Sequence, residues 1–170
     1  MNVVQAGASI AVAAPAAQAR NAEPVRLQIE RIGLDLPLVP VGLDENHTPV
    51  VPKHDAAWYT RSARPGEHEN MVFWGHALRF EDTPDVPAPF EQLRHLAVGD
   101  SLRVYAADGS VRSYVIVRQV WALPHEVEYI RPHGEEEVTI VCCIGDTIVV
   151  DGELTMTHRL ITIAHPIQTS

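Results

Sequence analysis

From Val25 onward the chain is a succession of short β-like runs, broken by turn residues at close intervals, and that rhythm excludes most folds. Arg26-Leu27-Gln28-Ile29-Glu30-Arg31-Ile32 alternates polar and apolar side chains, the period of a half-buried strand, and Gly33 ends it. Residues 36–41 carry Pro37 and Pro40 and read as an interrupted, edge-like strand. Residues 48–51 are a further short extended piece, and Ala56-Ala57-Trp58-Tyr59 reads as one helical turn or a loop. Asn70-Met71-Val72-Phe73-Trp74 is a buried strand leading into Gly75-His76. Apolar residues at 90, 93 and 96, with Pro89 near the start, suit a short helix. Residues 101–105 and 111–121 form a hairpin across Asp108-Gly109, a strong two-residue turn signal. Residues 123–136 are a long irregular connection, and residues 137–143 and 158–164 complete the strands. About eight strands, two short helices at most and no repeat give an all-β, closed or nearly closed, antiparallel-rich barrel. The absence of a βαβ rhythm with long helices argues against a doubly wound sheet.

With 170 residues, 46% apolar and 21% charged, the chain suits one domain with a real core. That domain is expected to span residues 23–170, after a flexible arm or anchor remnant at 1–22. Residues 1–19 are uncharged and alanine-rich. They offer no basic stretch ahead of the apolar run, as a signal peptide would, and polar residues dilute them as a membrane span. A net charge of −9 argues against a nucleic-acid partner. The two cysteines, Cys142 and Cys143, are adjacent and cannot staple distant segments. No CxxC pair is present, so no structural metal is expected, and Glu135-Glu136-Glu137 reads as a solvated turn.

The chemistry concentrates at three places. Cys143 closes the β-branched run Val138-Thr139-Ile140-Val141 and precedes Ile144-Gly145, so a thiol is held rigidly just before a glycine turn. His76 follows a strand, and Arg159 opens one. The three can supply a nucleophile, a proton carrier and an oxyanion clamp. Taken singly they mean little, since a buried cysteine is commonly an inert small hydrophobe, and a histidine or arginine in such places is commonly a loop or surface residue. Consecutive strand residues point to opposite faces, so Cys142 and Cys143 cannot both face one cleft.

Four stretches, in order, resemble one family. They are Arg26 to Asp35 continuing into Val39-Pro40-Val41-Gly42-Leu43, Pro65-Gly66-Glu67 with Asn70 to His76, Thr139-Ile140-Val141-Cys142-Cys143, and His158-Arg159-Leu160-Ile161. Together they are similar to the sortases, cysteine transpeptidases of bacterial surfaces, over most of the chain from Arg26 to Ile167. The resemblance implies a closed eight-stranded sortase-type barrel, with Cys143 as nucleophile (selected by alignment on Thr139), His76 as proton carrier and Arg159 as oxyanion donor. It implies cleavage of an LPxTG-like signal between threonine and glycine through a thioester, and transfer to an amine on a cell-wall precursor or pilin lysine. The partners are then secreted proteins bearing a C-terminal sorting signal, and the location is extracytoplasmic, at the cell surface. Specificity is expected in residues 123–136, with Ala77 and Leu78 as further substrate contacts and no cofactor or metal. The class stays open, class F-like or D-like. Two departures stand out: Cys142 replaces the signature's threonine, and no anchor is recognisable in residues 1–19, so membrane association rests on a weak or missing one. A plain cysteine hydrolase and a catalytically silent surface adaptor are the alternatives.

Overall fold

The computed structural model describes residues 21–168, and all but the last two residues of the expected arm lie outside them. The alternation at the start of the domain forms β1 (Pro24–Ile29), which ends in a 3-10 turn whose Gly33 takes φ 64° and donates its N–H to the Glu30 carbonyl. The chain continues through β2 (Leu34–Val41), β3 (Ala56–Tyr59), β4 (Asn70–Trp74), β5 (Ser101–Ala106), β6 (Val111–Ala122), β7 (Glu137–Val150) and β8 (Glu153–Pro166). These eight strands close into a barrel in the order β1-β2-β3-β4-β7-β8-β6-β5, as expected for the fold. Two neighbour pairs, β2 with β3 and β4 with β7, run parallel, and the rest are antiparallel.

Several elements differ from the sequence reading. Ala56 to Tyr59 is a buried strand between β2 and β4, and tertiary pairing overrides the weak helical preference of two alanines. The expected helix over 90–96 shrinks to a single 3-10 turn, Leu93–His95. Residues 48–51 contribute only the isolated bridge Leu43↔Pro49. β2 is an interior strand despite its prolines. It pairs with β1 through residues 34–37 and with β3 through 38–41, so each half has one unpaired edge where a missing N–H costs nothing. Finally, β7 does not stop at Cys143. Gly145, at φ 97°, forms a register shift instead of a turn, and the strand runs on to Val150.

Side chains on alternate positions divide the sheet into two faces. The inner face of β7 carries Val138, Ile140, Cys142 and Ile144, packed with Leu27, Ile29, Phe73, Val104, Tyr114 and Leu160 in the main core. The outer face is covered too. Val72, Trp74, Val41 and Ala57 cluster there with Val141, and Ala122, Ile161 and Ile163 cluster on the other side of Val141 with Tyr129. The irregular connection between β6 and β7 thus lies over the outer face of the β4–β7–β8 sheet.

Candidate active site

Backbone register brings the three chemically capable residues into one row. Cys143 pairs directly with Arg159 across β7 and β8, and Arg159 with Ala122 across β8 and β6. On the other side β4 runs parallel to β7 with Trp74 opposite Val141, and the Gly75 N–H still donates to the Val141 carbonyl at 3.3 Å. Two residues further along that parallel register, His76 follows Trp74 as Cys143 follows Val141. Within their strands Cys143 shares the parity of Val141, and Arg159 that of Ile161, so both belong to the outer face.

Gly75 gives close clearance at the exit of β4. A Cβ there would meet the Phe90 ring at 3.0 Å and Pro89 at 3.1 Å, so a side chain would press Pro89-Phe90 away from the backbone by a few tenths of an ångström. The Phe90 N–H then donates to the His76 carbonyl at 2.9 Å and fixes the backbone of the histidine. The imidazole stands edge-on to Phe80 at 4.9 Å, and His54 meets the same ring at 5.6 Å. Burial, and then the nearby charge of His54, lower the His76 pKa and favour the neutral ring. The sequence reading left His54 and Phe80 without a role. The one signal available, a histidine between Lys53 and Asp55, carries no chemistry by itself.

The two thiols have separate environments. Cys142 is 3% exposed within the barrel core, and burial, reinforced by the neighbouring Cys143, pushes its pKa up to about 12, with Arg159 opposing weakly. Such a thiol stays protonated at neutral pH and is a poor nucleophile. Cys143 is partly exposed. Ala77 and Leu78 line the same cavity as both cysteines, about 890 Å³ in volume, together with Phe90, Trp121 and His158 at the open end of the barrel. Neither His76 nor Arg159 lines this cavity. Arg159 turns back along its own strand, with Nη1 donating at 3.0 Å to the carbonyls of Met156 and His158. Nε and Nη2 make no hydrogen bond among the described residues, which leaves donors for an incoming oxygen.

A polar hub missed in the sequence fastens the β6–β7 connection to the start of β4 and β7, at the far end of those strands from the row. Asn70, 2% exposed at the start of β4, donates its side-chain N–H groups to the carbonyls of Tyr129 (2.9 Å) and Arg131 (3.2 Å). Its Oδ1 accepts from Thr139 Oγ1 at 2.9 Å. Beside it the Glu69 carboxylate accepts from the backbone N–H groups of His133 (2.6 Å), Gly134 (2.8 Å) and Asn70 (2.8 Å). Of the triple glutamate only Glu135 is exposed in a bend as expected, and the other two are held. The Glu136 side chain, 8% exposed, accepts from Gly66 N–H and the Tyr114 hydroxyl, and Glu137 lies between His133 and His165. Residues 123–136, which carry no regular structure beyond the 3-10 turn Glu128–Ile130, are therefore held at several points.

The sortase domain family model matches residues 27–167, nearly the whole described chain. The chain belongs to the sortase family. Its family and barrel are those of a sortase-type transpeptidase, working generally at the bacterial cell surface. The fold is similar to that of sortase C1 from Streptococcus agalactiae, at 21% identity and TM-score 0.65 over 86% of this chain and 68% of that one. It is also similar to a sortase D5 transpeptidase from Clostridium perfringens (20% identity, TM-score 0.61, 86% and 79% covered). Sortase C-1 from Actinomyces oris gives 20% identity and TM-score 0.65 over 86% and 76%. No curated protein matches this sortase. Among the described residues no helix is long and apolar enough to cross a membrane.

Proposed function

We propose that this sortase cleaves an LPxTG-like sorting signal between threonine and glycine, with Cys143 as nucleophile, His76 as proton carrier and Arg159 as donor to the developing oxyanion. The observation that carries the reading is the transverse row, in which Cys143 pairs with Arg159 while the β4–β7 register leads His76 toward the same level. His76 takes the Cys143 thiol proton as the sulfur attacks the threonine carbonyl carbon, and the free guanidinium donors of Arg159 bind the oxygen as it gains charge. His76 protonates the departing amine, then takes a proton from the incoming one. Ala77 and Leu78, in the cavity beside Cys143, contact the signal, and residues 123–136 form the wall that reads it. The acyl group passes to an amine on a cell-wall precursor or pilin lysine outside the cytoplasm, and residues 23–170 suffice as the catalytic domain.

Incubating the protein with a fluorescent LPxTG-like peptide, with and without an added amine, tests the reading. A ligated product that replaces the hydrolysed one as amine is raised supports transfer. Cleavage whose products ignore the amine leaves a plain hydrolase, and no cleavage of any such signal removes the proposal.

A further inference from the structure

A second cavity, about 350 Å³ in volume, lies on the outer face at the opposite end of β4 from His76. Tyr59, Val127, Ile130 and Pro132 give it apolar walls, and the exposed Arg61 and Arg131 line it beside them. The backbone around each arginine is fixed. Ser62 Oγ accepts from the Val72 N–H at 2.9 Å and the Ala63 N–H donates to the Asn70 carbonyl at 3.0 Å, which holds the turn after β3 against β4. From the other side, the Arg131 carbonyl accepts from Asn70 Nδ2 at 3.2 Å. Neither guanidinium makes a hydrogen bond or an ion pair among the described residues, so their N–H donors are available. The one carboxylate on the cavity wall, Glu69, is already engaged by the backbone N–H groups of His133, Gly134 and Asn70.

Strand register sets how far this cavity stands from the thiol. β4 and β7 pair in parallel from Asn70↔Glu137 to Trp74↔Val141, and Cys143 comes six positions after Glu137. At ~3.3 Å per residue the separation is ~20 Å, the span of about six extended residues. An apolar track joins the two, with Tyr59 and Trp74 stacked at 5.0 Å and Ile130 and Val141 packed against them. An LPxTG-like signal whose threonine carbonyl sits at Cys143 ends short of the two arginines, so only flanking chain reaches them. The acyl half of the substrate stays bound through the thioester, and the walled side of the row suits it, whereas the leaving half needs the open side. A free phosphate or a lipid headgroup would use the arginines and leave the apolar walls bare. With a net charge of −9 the chain repels carboxylates at long range, which makes a pair of unengaged guanidinium groups a local selector for one.

We infer that this cavity is a secondary substrate site that takes an acidic side chain about six residues before the attacked threonine, outside the sorting signal itself. This rests on the thioester reading above and adds to it a charge requirement on the sequence upstream of the signal. The carboxylate accepts from the guanidinium groups of Arg61 and Arg131, while the main chain and methylenes of the peptide lie on Tyr59 and Ile130. No bond forms or breaks there. The contact is the same before and during reaction at the thiol, so it lowers KM and leaves kcat alone. Both arginines are exposed, so each pair contributes modestly and is screened by salt.

Fluorescent donor peptides that share one LPxTG-like signal test the site. Three carry paired glutamates, glutamines or lysines about six residues before the threonine, and a fourth carries the glutamates after the glycine. They are cleaved by the full chain, by Arg61→Gln, Arg131→Gln and the double variant, and by Arg31→Gln, which removes an exposed charge that does not line the cavity. The upstream-glutamate peptide is expected to show a KM about fivefold below its glutamine counterpart at equal kcat, the effect of two exposed ion pairs, with the lysine peptide above both. That margin should shrink in each single variant, vanish in the double variant, survive Arg31→Gln, and close in the parent as sodium chloride is raised. Equal KM for the glutamate and glutamine peptides overturns the inference. So does a margin that survives the double variant, one that Arg31→Gln also erases, or one seen only with glutamates after the glycine. Fluorescence anisotropy of the same peptides reads binding without turnover. If no peptide is cleaved, the thioester reading fails, and anisotropy still decides the site: a glutamate preference lost in the double variant supports it, and equal binding removes it.

Discussion

The two faces of β7 carry adjacent, chemically identical side chains to opposite fates. On the inner face Cys142 packs with Ile140, Ile144 and Leu160, only 3% exposed although it borders the cavity, and burial holds its thiol protonated. On the outer face Cys143 sits one residue away, partly exposed, in register with an arginine and beside a cavity. Strand geometry, with its two-residue period, thus separates a packing cysteine from a reactive one more sharply than any property of the residues themselves.

The sharpest way to break this comparison is to exchange the thiols one at a time. Cys143→Ala should abolish thioester formation and turnover while leaving the unfolding midpoint near that of the parent. Cys142→Ala should retain turnover and lose about 1 kcal/mol of stability, in the range for removing one buried small group. Stopped-time gels of the acyl-enzyme and thermal melts check both. Next in size, Arg159→Lys keeps the charge but loses the planar fork, and should lower kcat by about 10² to 10³ with little change in KM.

The outer face also depends on its fastening. Asn70→Ala would leave the Tyr129 and Arg131 carbonyls and the Thr139 hydroxyl without their partner, at a cost of about 1–3 kcal/mol for each group left buried and unsatisfied. Loosening residues 123–136 should raise KM for the sorting peptide more than it lowers kcat, and hydrogen exchange should speed up across that connection. Glu69→Gln, which keeps the shape but weakens three charge-assisted bonds, should show the same pattern more weakly.

The smallest effect concerns pH. His76 has its pKa lowered, first by burial and second by His54. Its ring therefore resists protonation in the folded state, and this contribution to stability is full above the unfolded histidine value of about 6.5 and is lost as pH falls through the lower folded value. The acid limb of kcat/KM should accordingly lie below about pH 6.5. His54→Ala removes the second cause only, so the limb should move upward while burial, the larger cause, still holds it down. An unmoved limb would separate His54 from the site.

Much of this was legible in the chain. Period-two alternation marked β1 and the Asp108-Gly109 turn marked the β5–β6 hairpin, whereas Cys143 and Arg159, expected at a strand end and a strand start, lie inside β7 and β8. What stayed hidden has physical reasons. A glycine at positive φ serves a bulge as well as a turn, so Gly145 gave no sign that β7 continues and that a ribbon projects beyond the thiol. Two alanines before Trp58-Tyr59 favour a helix locally and become a strand only through pairing with β2 and β4. The hub of Glu69 and Asn70 joins groups about sixty residues apart through backbone atoms, and backbone acceptors leave no mark on the sequence at all.

The central claim is that the outer-face thiol alone is acylated, and mass spectrometry of the trapped acyl-enzyme tests it most directly. After brief reaction with an LPxTG-like peptide and acid quench, the account predicts one acyl adduct, fragment ions assigning it to Cys143, unchanged in Cys142→Ala and absent in Cys143→Ala. An adduct on Cys142, or one that persists in Cys143→Ala, would contradict it.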